Sequence, residues 1–377
     1  MRQAEVMGRR IYIILAAQGV GGAEKRFSSI WHRLLVDGYD IHLVVDHITF
    51  DLLCRQPDYA NFKNGSTNIH RLDFGDGRYR SYCAAVMNFF KSQPSKAIVH
   101  YPLAWVAGTK KKYGHTTIVS WVDSSFPKLN GESFKNSLGA WLGFTFADWI
   151  DVLNPGNLKK IAKIPFFKNK CSLTSGGTQV DSSLYSSSHA KNSRYVFLGR
   201  AEPEKQCFRF AHMLPEIHEI LCKSGHTTHE FIIRGAGSES LKIRELLATK
   251  IFQDIPVDFG YTDNPNDELA KAAIFFSLQR TSNYPSKALA EAMVCGAFPI
   301  LTETGESDLM VKGCENYAFV PKEFTAQDIA SAILKYENYS TLEKIEVSKN
   351  ISSFALERFD PEVQITYFKN LYKKYGA

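Results

Sequence analysis

Three short stretches of this 377-residue chain combine residue types that can hold a phosphate. The first is Gly19-Val20-Gly21-Gly22-Ala23-Glu24, which follows an apolar run and opens an amphipathic one. Backbone N–H groups in such a turn can approach an anion closely, and the helix N-terminus beyond it carries partial positive charge. The stretch lacks the third glycine of a dinucleotide fingerprint and the Lys-Ser/Thr of a P-loop, so a plain strand–helix turn also explains it. The second is Val196-Phe197-Leu198-Gly199-Arg200-Ala201-Glu202-Pro203-Glu204-Lys205-Gln206. An arginine at a strand's carboxyl end, with a lysine one short loop later, makes a diphosphate clamp in which each charged hydrogen bond contributes on the order of 1.5–3 kcal/mol. The competing reading is surface charge around a turn, with Arg200 paired to Glu202 or Glu204.

The third stretch is S-N-Y-P-S-K-A-L-A-E-A-M, residues 282–293. It predicts a helix capped by Ser282 or Asn283, with Pro285 in its first turn and Gly296 as its stop. Lys287 then sits in the first turn, where the helix dipole disfavours a cation. An ion pair with Glu291, four residues on, explains it locally. In that order, lysine before glutamate, such a pair is worth a few tenths of a kcal/mol at most. A phosphate over the first turn is the stronger partner.

These stretches need strands and helices to hold them. Arg10–Ala16 reads as a buried strand, residues from Ala23 to Leu35 carry the stripe of an amphipathic helix, and Ile41–Val45 is the next strand. Further strands are expected at Ala97–His100, Thr117–Val122 and Ile150–Leu153. A Gly/Ser-rich run near residue 175 reads as a linker. Alternation then restarts, with strands at Tyr195–Leu198, Glu230–Arg234, Ile274–Leu278, Phe298–Leu301 and Tyr317–Val320. Helices are expected at Phe208–Cys222, Leu241–Lys250, Ser286–Cys295 and Ala326–Tyr336. Two alternating blocks imply two α/β domains with mostly parallel sheets, 1–178 and 190–360, with the ligand expected in the cleft between them. An amphipathic helix over 361–377 carries a Tyr367/Phe368/Leu371/Tyr372/Tyr375 stripe that reads as core.

Bulk properties narrow the class. The length favours two domains, and 44% hydrophobic with 22% charged residues is globular composition. Seven scattered cysteines without a C-x-x-C pair point to a reducing compartment and away from a disulfide framework or zinc site. The N-terminus lacks a signal-peptide pattern and no apolar run reaches spanning length, so a cytoplasmic protein is expected. The net charge of +6 divides as +10 over residues 1–180 (23 Lys+Arg, 13 Asp+Glu) and −4 over the rest (22 and 26). A basic first half suits an anionic partner as well as it suits a solvated face. Lysines interleaved with Ile164, Phe166 and Phe167 over 158–170 suggest a peripheral contact with the inner face of a membrane; a core-facing amphipathic helix is the alternative. The Lys110–Lys112 run reads as solvated face and His100 as a satisfied core residue. Aromatic spacing follows core periodicity, which speaks against nucleic acid.

In their order and spacing these motifs resemble the retaining, nucleotide-sugar-dependent transferases of glycosyltransferase family 4, which have the GT-B fold: two Rossmann-like domains facing a deep cleft. Gly21-Gly22-Ala23-Glu24 looks like that family's N-terminal glycine loop, and F-L-G-R-A-E-P-E-K its phosphate motif. I-I-R-G-A-G-S-E (232–239) and V-D-F-G-Y (257–261) resemble the segments flanking the nucleotide base. A-L-A-E-A-M-V-C-G-A-F-P-I (288–300) is similar to the helix bearing the second Glu of E-x7-E. The resemblance implies an N-terminal acceptor-side domain, on which the last helix packs back, and a C-terminal donor-binding domain. It implies that Arg200 and Lys205 neutralise the leaving diphosphate without a metal or other cofactor, and that Glu291 binds the ribose. Gly21, Gly22, Gly199, Gly235, Tyr261, Ser286 and Lys287 would complete the donor site. Asn283 stands where the family keeps the first Glu, and Asp123 where it keeps a histidine; both positions would touch the donor sugar. The implied activity is retaining transfer from a nucleotide-diphosphate-sugar to a saccharide or lipid-linked saccharide in surface polysaccharide assembly. A GT-B epimerase or phosphorylase, or an inactive nucleotide-sugar-binding subunit, remains as the alternative. Asn283 weakens the epimerase, which needs acid/base carboxylates around the sugar.

Overall fold

The computed structural model describes residues 8–55, 67–94, 96–123, 126–127, 134–185, 194–227, 229–262, 264–282 and 284–377. The chain divides into two compact units, Met1–Ser175 with Glu362–Ala377, and Gly176–Pro361.

In the first unit the order is β1 (Ile11–Leu15), α1 (Gly22–Val36), β2 (Ile41–Asp46), α2 (His47–Cys54), β3 (Ile69–Leu72), α3 (Tyr79–Phe89), β4 (Ile98–Tyr101), α4 (Thr109–Tyr113), β5 (Thr116–Trp121), α5 (Phe134–Phe146), β6 (Trp149–Val152), α6 (Pro155–Ala162), α7 (Pro165–Lys168) and β7 (Cys171–Leu173). The strands form one parallel sheet in the order β3-β2-β1-β4-β5-β6-β7. Alternate side chains divide its faces, as a period of two requires. Ile11, Ile13 and Leu15 pack with Phe27, Ile30 and Leu34 of α1; Tyr12 and Ile14 pack with Tyr82 and Val86 of α3.

The second unit runs β8 (Arg194–Leu198), α8 (Cys207–Lys223), β9 (Glu230–Arg234), α9 (Ser240–Leu247), β10 (Val257–Gly260), α10 (Pro265–Leu269), β11 (Ala272–Ser277), α11 (Lys287–Val294), β12 (Phe298–Thr302), α12 (Asp308–Val311), β13 (Ala318–Val320), α13 (Ala326–Glu337) and α14 (Thr341–Arg358). Its parallel sheet has the order β10-β9-β8-β11-β12-β13. The last helix, α15 (Pro361–Lys374), belongs to the first unit, where Ile365, Phe368, Leu371 and Tyr372 enter the core beside α1. A buried polar chain ties it down. His100 joins the Tyr372 hydroxyl and the Ser120 hydroxyl, each at 2.7 Å, and Asp151 accepts from Ser120, Thr174 and Tyr367. Burial pushes the His100 imidazole down to about 3, so it stays neutral and structural.

Some local structure departs from the sequence expectation. The strands β3, β7 and β10 are short and only partly buried, so they lack the continuous apolar run that marked the others. The helix α14 presents few apolar residues; a capping box of Ser340 and Glu343 marks its start. The segment 158–170 is not one helix. Pro165 cannot supply the N–H that a continuing helix needs, and α6 gives way to the one-turn α7. The helix α11 starts one residue later than expected and is capped by Ser286, leaving Pro285 outside it. No helix of the described residues is long and apolar enough to cross a membrane.

Candidate functional site

Because the strands of the second sheet run parallel, the segments leaving their carboxyl ends share one edge. The strand order reverses between β8 and β11, and ligands favour such reversal points. Gly199–Gln206 leaves β8 there and residues 278–286 leave β11. The Arg280 N–H donates to the Glu204 carbonyl at 2.8 Å, joining the two segments. Arg200 is exposed at this edge. Lys205 is half-buried; desolvation, then the neighbouring Arg200 charge, push its ammonium down to about 8. The nearby Glu204 charge partly offsets this, and among the described residues Glu202 forms no ion pair with either cation. Its carboxylate accepts from the Ser238 hydroxyl at 2.6 Å and the Ser238 N–H at 3.2 Å. Gln206, next to Lys205, holds a left-handed φ of +57°, a conformation rare outside glycine and concentrated at functional turns.

Lys287 is the first residue of α11, as its position after the Ser286 cap requires. Its ammonium lies 3.6 Å from the Glu291 carboxylate, so the local pair does form. Glu291 is only 6% exposed, and its carboxylate also accepts from the Tyr185 hydroxyl at 2.6 Å. Tyr185 comes from the Gly/Ser-rich segment and carried no sequence signal beyond being an aromatic in a polar run. Ser282 is not the cap. Its hydroxyl donates to Glu306 at 2.7 Å and accepts the Glu306 N–H, linking the segments after β11 and β12. Gly305 makes that approach possible: at φ +49°, a Cβ there would lie 2.7 Å from the Ser282 Cβ. Thr304, in the same segment, has a buried hydroxyl with no partner among the described residues. Asn283 lies outside the described residues.

The glycines divide by role. A Cβ on Gly199 would make only an ordinary contact, 3.8 Å from Phe197, but one on Gly235 would lie 1.8 Å from the Gly199 carbonyl, where the chain segments leaving β8 and β9 meet. That is a packing requirement, whatever ligand lies nearby. Tyr261 follows β10 and is 68% exposed at the same edge.

In the first sheet the order reverses between β1 and β4. A cavity of about 280 Å³ lies there, lined by Ala16, Ala17, Leu103, Trp105, Trp121, Val122 and Asp123. Between Leu103 and Trp105, Ala104 takes a left-handed φ of +59°, and its carbonyl packs where a Cβ on Gly143 would lie 2.3 Å away. Among the described residues Asp123 is the one charged side chain of the lining, and no sequence signal pointed to the two tryptophans. The glycine loop before α1 is open, with nothing within 4 Å of a Cβ placed on Gly19 or Gly22. The Gly21 N–H, however, already donates to the Glu24 carboxylate at 2.8 Å, which puts the chain's own anion at this helix start. Asp46, His47 and Asp73 have the proximity for a metal ion. Asp46 is committed elsewhere, accepting the N–H groups of Ile48 and Phe74, each at 2.9 Å.

Residues 192–338 match the family model described as Glycosyl transferases group 1. The matched segment spans β8 to α13 and holds Arg200, Lys205 and Glu291. No curated protein matches the chain by sequence. Among solved structures, sucrose-phosphate synthase from Thermosynechococcus elongatus is similar at a TM-score of 0.73, with 14% identity over 97% of this chain and 99% of its own. Anabaena Alr3699/HepE, in complex with UDP and glucose, also superposes at 0.73, with 15% identity over 97% and 99%. A mutant of S. aureus TarM, in complex with Fondaparinux, alpha-GlcNAc-glycerol and UDP, is similar at 0.63, with 13% identity over 97% and 99%. The two parallel-sheet units thus have the GT-B fold.

Proposed function

We propose that the chain is a retaining glycosyltransferase, with the donor's nucleoside diphosphate held by the second unit and the acceptor by the first. The observation that carries this reading is the Arg200–Lys205 pair. Two neighbouring cations, one desolvated, stand at a strand-order reversal inside the matched segment. A diphosphate there relieves their repulsion and offsets the desolvation of Lys205. Lys287 and the positive end of α11 add to the same charge, and Glu291, oriented by Tyr185, accepts hydroxyls of the ribose. The unpartnered Thr304 hydroxyl offers a further donor at this edge. In the transfer, the bond from the anomeric carbon to the diphosphate breaks and a bond to the acceptor oxygen forms. The acceptor's proton leaves to a diphosphate oxygen, and front-face attack keeps the anomeric configuration. Catalysis of this kind rests on positioning and on stabilising the departing charge, which Arg200 and Lys205 supply in place of a metal.

The cavity lined by Trp105 and Trp121 fits the accepting saccharide: aromatic faces cover the apolar side of a pyranose, and Asp123 accepts from its hydroxyls. An acceptor in surface polysaccharide assembly, reached from the cytoplasm, suits this reading.

The test is to incubate the protein with a panel of nucleotide-sugars, with EDTA and without it, and follow nucleotide release with and without saccharide acceptors. Acceptor-dependent release that survives EDTA, with the configuration retained in the product, is expected. Sugar isomerisation without release, or binding without turnover, would replace this reading with an epimerase or a binding subunit.

A further inference from the structure

The first unit carries an apolar stripe outside both candidate sites. Leu138, Leu142 and Phe146 of α5 are 42%, 44% and 55% exposed, and Phe166 of α7 is 63% exposed. The four-residue spacing keeps the first three on one helix face over about 12 Å. Phe166 joins that face through Lys170, whose ammonium lies 4.4 Å from the Phe166 ring centre and donates to the Phe144, Thr145 and Ala147 carbonyls that end α5. Lys110 reaches the same helix end, 3.4 Å from the Phe146 carbonyl. Beneath the stripe Phe167 packs on Trp141 and Phe144, at ring distances of 5.8 and 6.2 Å, so the two helices present a fixed surface.

Among the described residues the unpaired charge around this face has one sign. Lys111, Lys112, Lys163 and Lys168 are exposed on the adjoining segments, and residues 155–173 contain five lysines and no acid. Asp148, the acid at the end of α5, is paired with Lys110.

We propose that this face rests on an anionic lipid bilayer, its leucine and phenylalanine tips at the acyl boundary and its lysines at the phosphate level. A second copy of the chain is the weaker occupant. Four side chains fall short of the roughly 800 Å² per partner that a stable protein interface buries, and the lysine rim repels its own image. Of the stretch 158–170, Phe166 alone of the large apolar side chains is exposed. The larger part of the surface comes from α5, whose sequence is apolar nearly all round and so reads as a core helix.

This membrane contact is independent of the transferase reading, and its test needs no turnover. The purified full chain is co-sedimented with vesicles of pure phosphatidylcholine and of equal parts phosphatidylcholine and phosphatidylglycerol. Binding is expected only to the mixed vesicles, and to weaken with salt. Phe146→Ser with Phe166→Ser should lower the partition coefficient at least tenfold. Each of Lys111→Gln and Lys168→Gln should lower it about fivefold, the equivalent of ~1 kcal/mol per lysine at an anionic surface. Leu241→Ser with Leu342→Ser, which change leucines 67% and 80% exposed on the second unit, should leave it unchanged. Circular-dichroism spectra and melting temperatures equal to those of the native chain show that each variant's fold is intact. Failure of the native chain to bind mixed vesicles would overturn the proposal, as would binding by the Phe146/Phe166 variant equal to it. A concentration-dependent dimer that the same two substitutions dissociate would also overturn it, and would assign the face to a second copy.

Discussion

The two sheets share a topology and differ in what they place at its decisive point. In the second unit the reversal between β8 and β11 carries Arg200 and a desolvated Lys205, with Glu291 on the helix that follows β11. In the first unit the reversal between β1 and β4 carries Trp105, Trp121 and one carboxylate. Each also holds a non-glycine residue in a left-handed turn beside these side chains, Gln206 in one unit and Ala104 in the other. The lesson is that parallel topology supplies a place for a ligand, while side-chain charge and polarity select it.

The largest effect that would break this contrast is expected from Arg200→Ala. Losing one charged hydrogen-bond donor should cost about 1.5–3 kcal/mol, or roughly 10- to 150-fold in UDP affinity by calorimetry. Unchanged affinity would leave the two reversal points without a chemical difference. Trp105→Ala should act on the other side alone. If about 60 Å² of apolar sugar surface loses its cover, the acceptor KM should rise roughly tenfold while UDP affinity holds.

The pH response of Lys205 sharpens the comparison further. With a folded-state value of about 8, its charge is largely gone by pH 9, so UDP affinity should fall severalfold between pH 7 and 9. Lys205→Arg should flatten that profile. Stability without ligand runs the other way. The unfolded chain keeps this proton up to its ordinary 10.5, so between about 8 and 10.5 it binds more protons than the folded chain. The contribution of this group to thermal stability should therefore rise with pH across that window, as melting temperatures of native and Lys205→Arg protein can show. The smallest effect is expected from Lys287→Gln, about two- to fivefold in UDP affinity, since part of the lysine's charge is already met by Glu291 at 3.6 Å.

Much of the second site was legible because its residues lie on short, punctuated segments. Gly199, Arg200 and Lys205 follow an apolar run closely enough for a strand end and loop to be inferred, and Glu291 falls four residues beyond Lys287 on a helical pattern. Tyr185 was not legible, because its bond to Glu291 spans more than a hundred residues and depends on where the linker folds. Gly235 was legible as a glycine but not for its reason, the approach of the Gly199 carbonyl. The aromatic cavity was hidden more completely. Trp105 and Trp121 are sixteen residues apart and belong to separate strand ends that only the β1-β4-β5 adjacency brings together.

The sequence by itself determined the alternation of apolar strands with amphipathic helices, the break near residue 175, and the basic charge of the first half. These follow from local periodicity and composition, which need no partner. Tertiary structure alone decided which strands are neighbours, and hence where each order reverses and what converges there. It decided that Lys205 is desolvated, that Glu24 occupies the Gly21 amide, and that an apolar helix leaves Leu138, Leu142 and Phe146 uncovered among lysines. Burial, charge proximity and exposure are properties of pairs of segments distant in the chain, and only folding sets them.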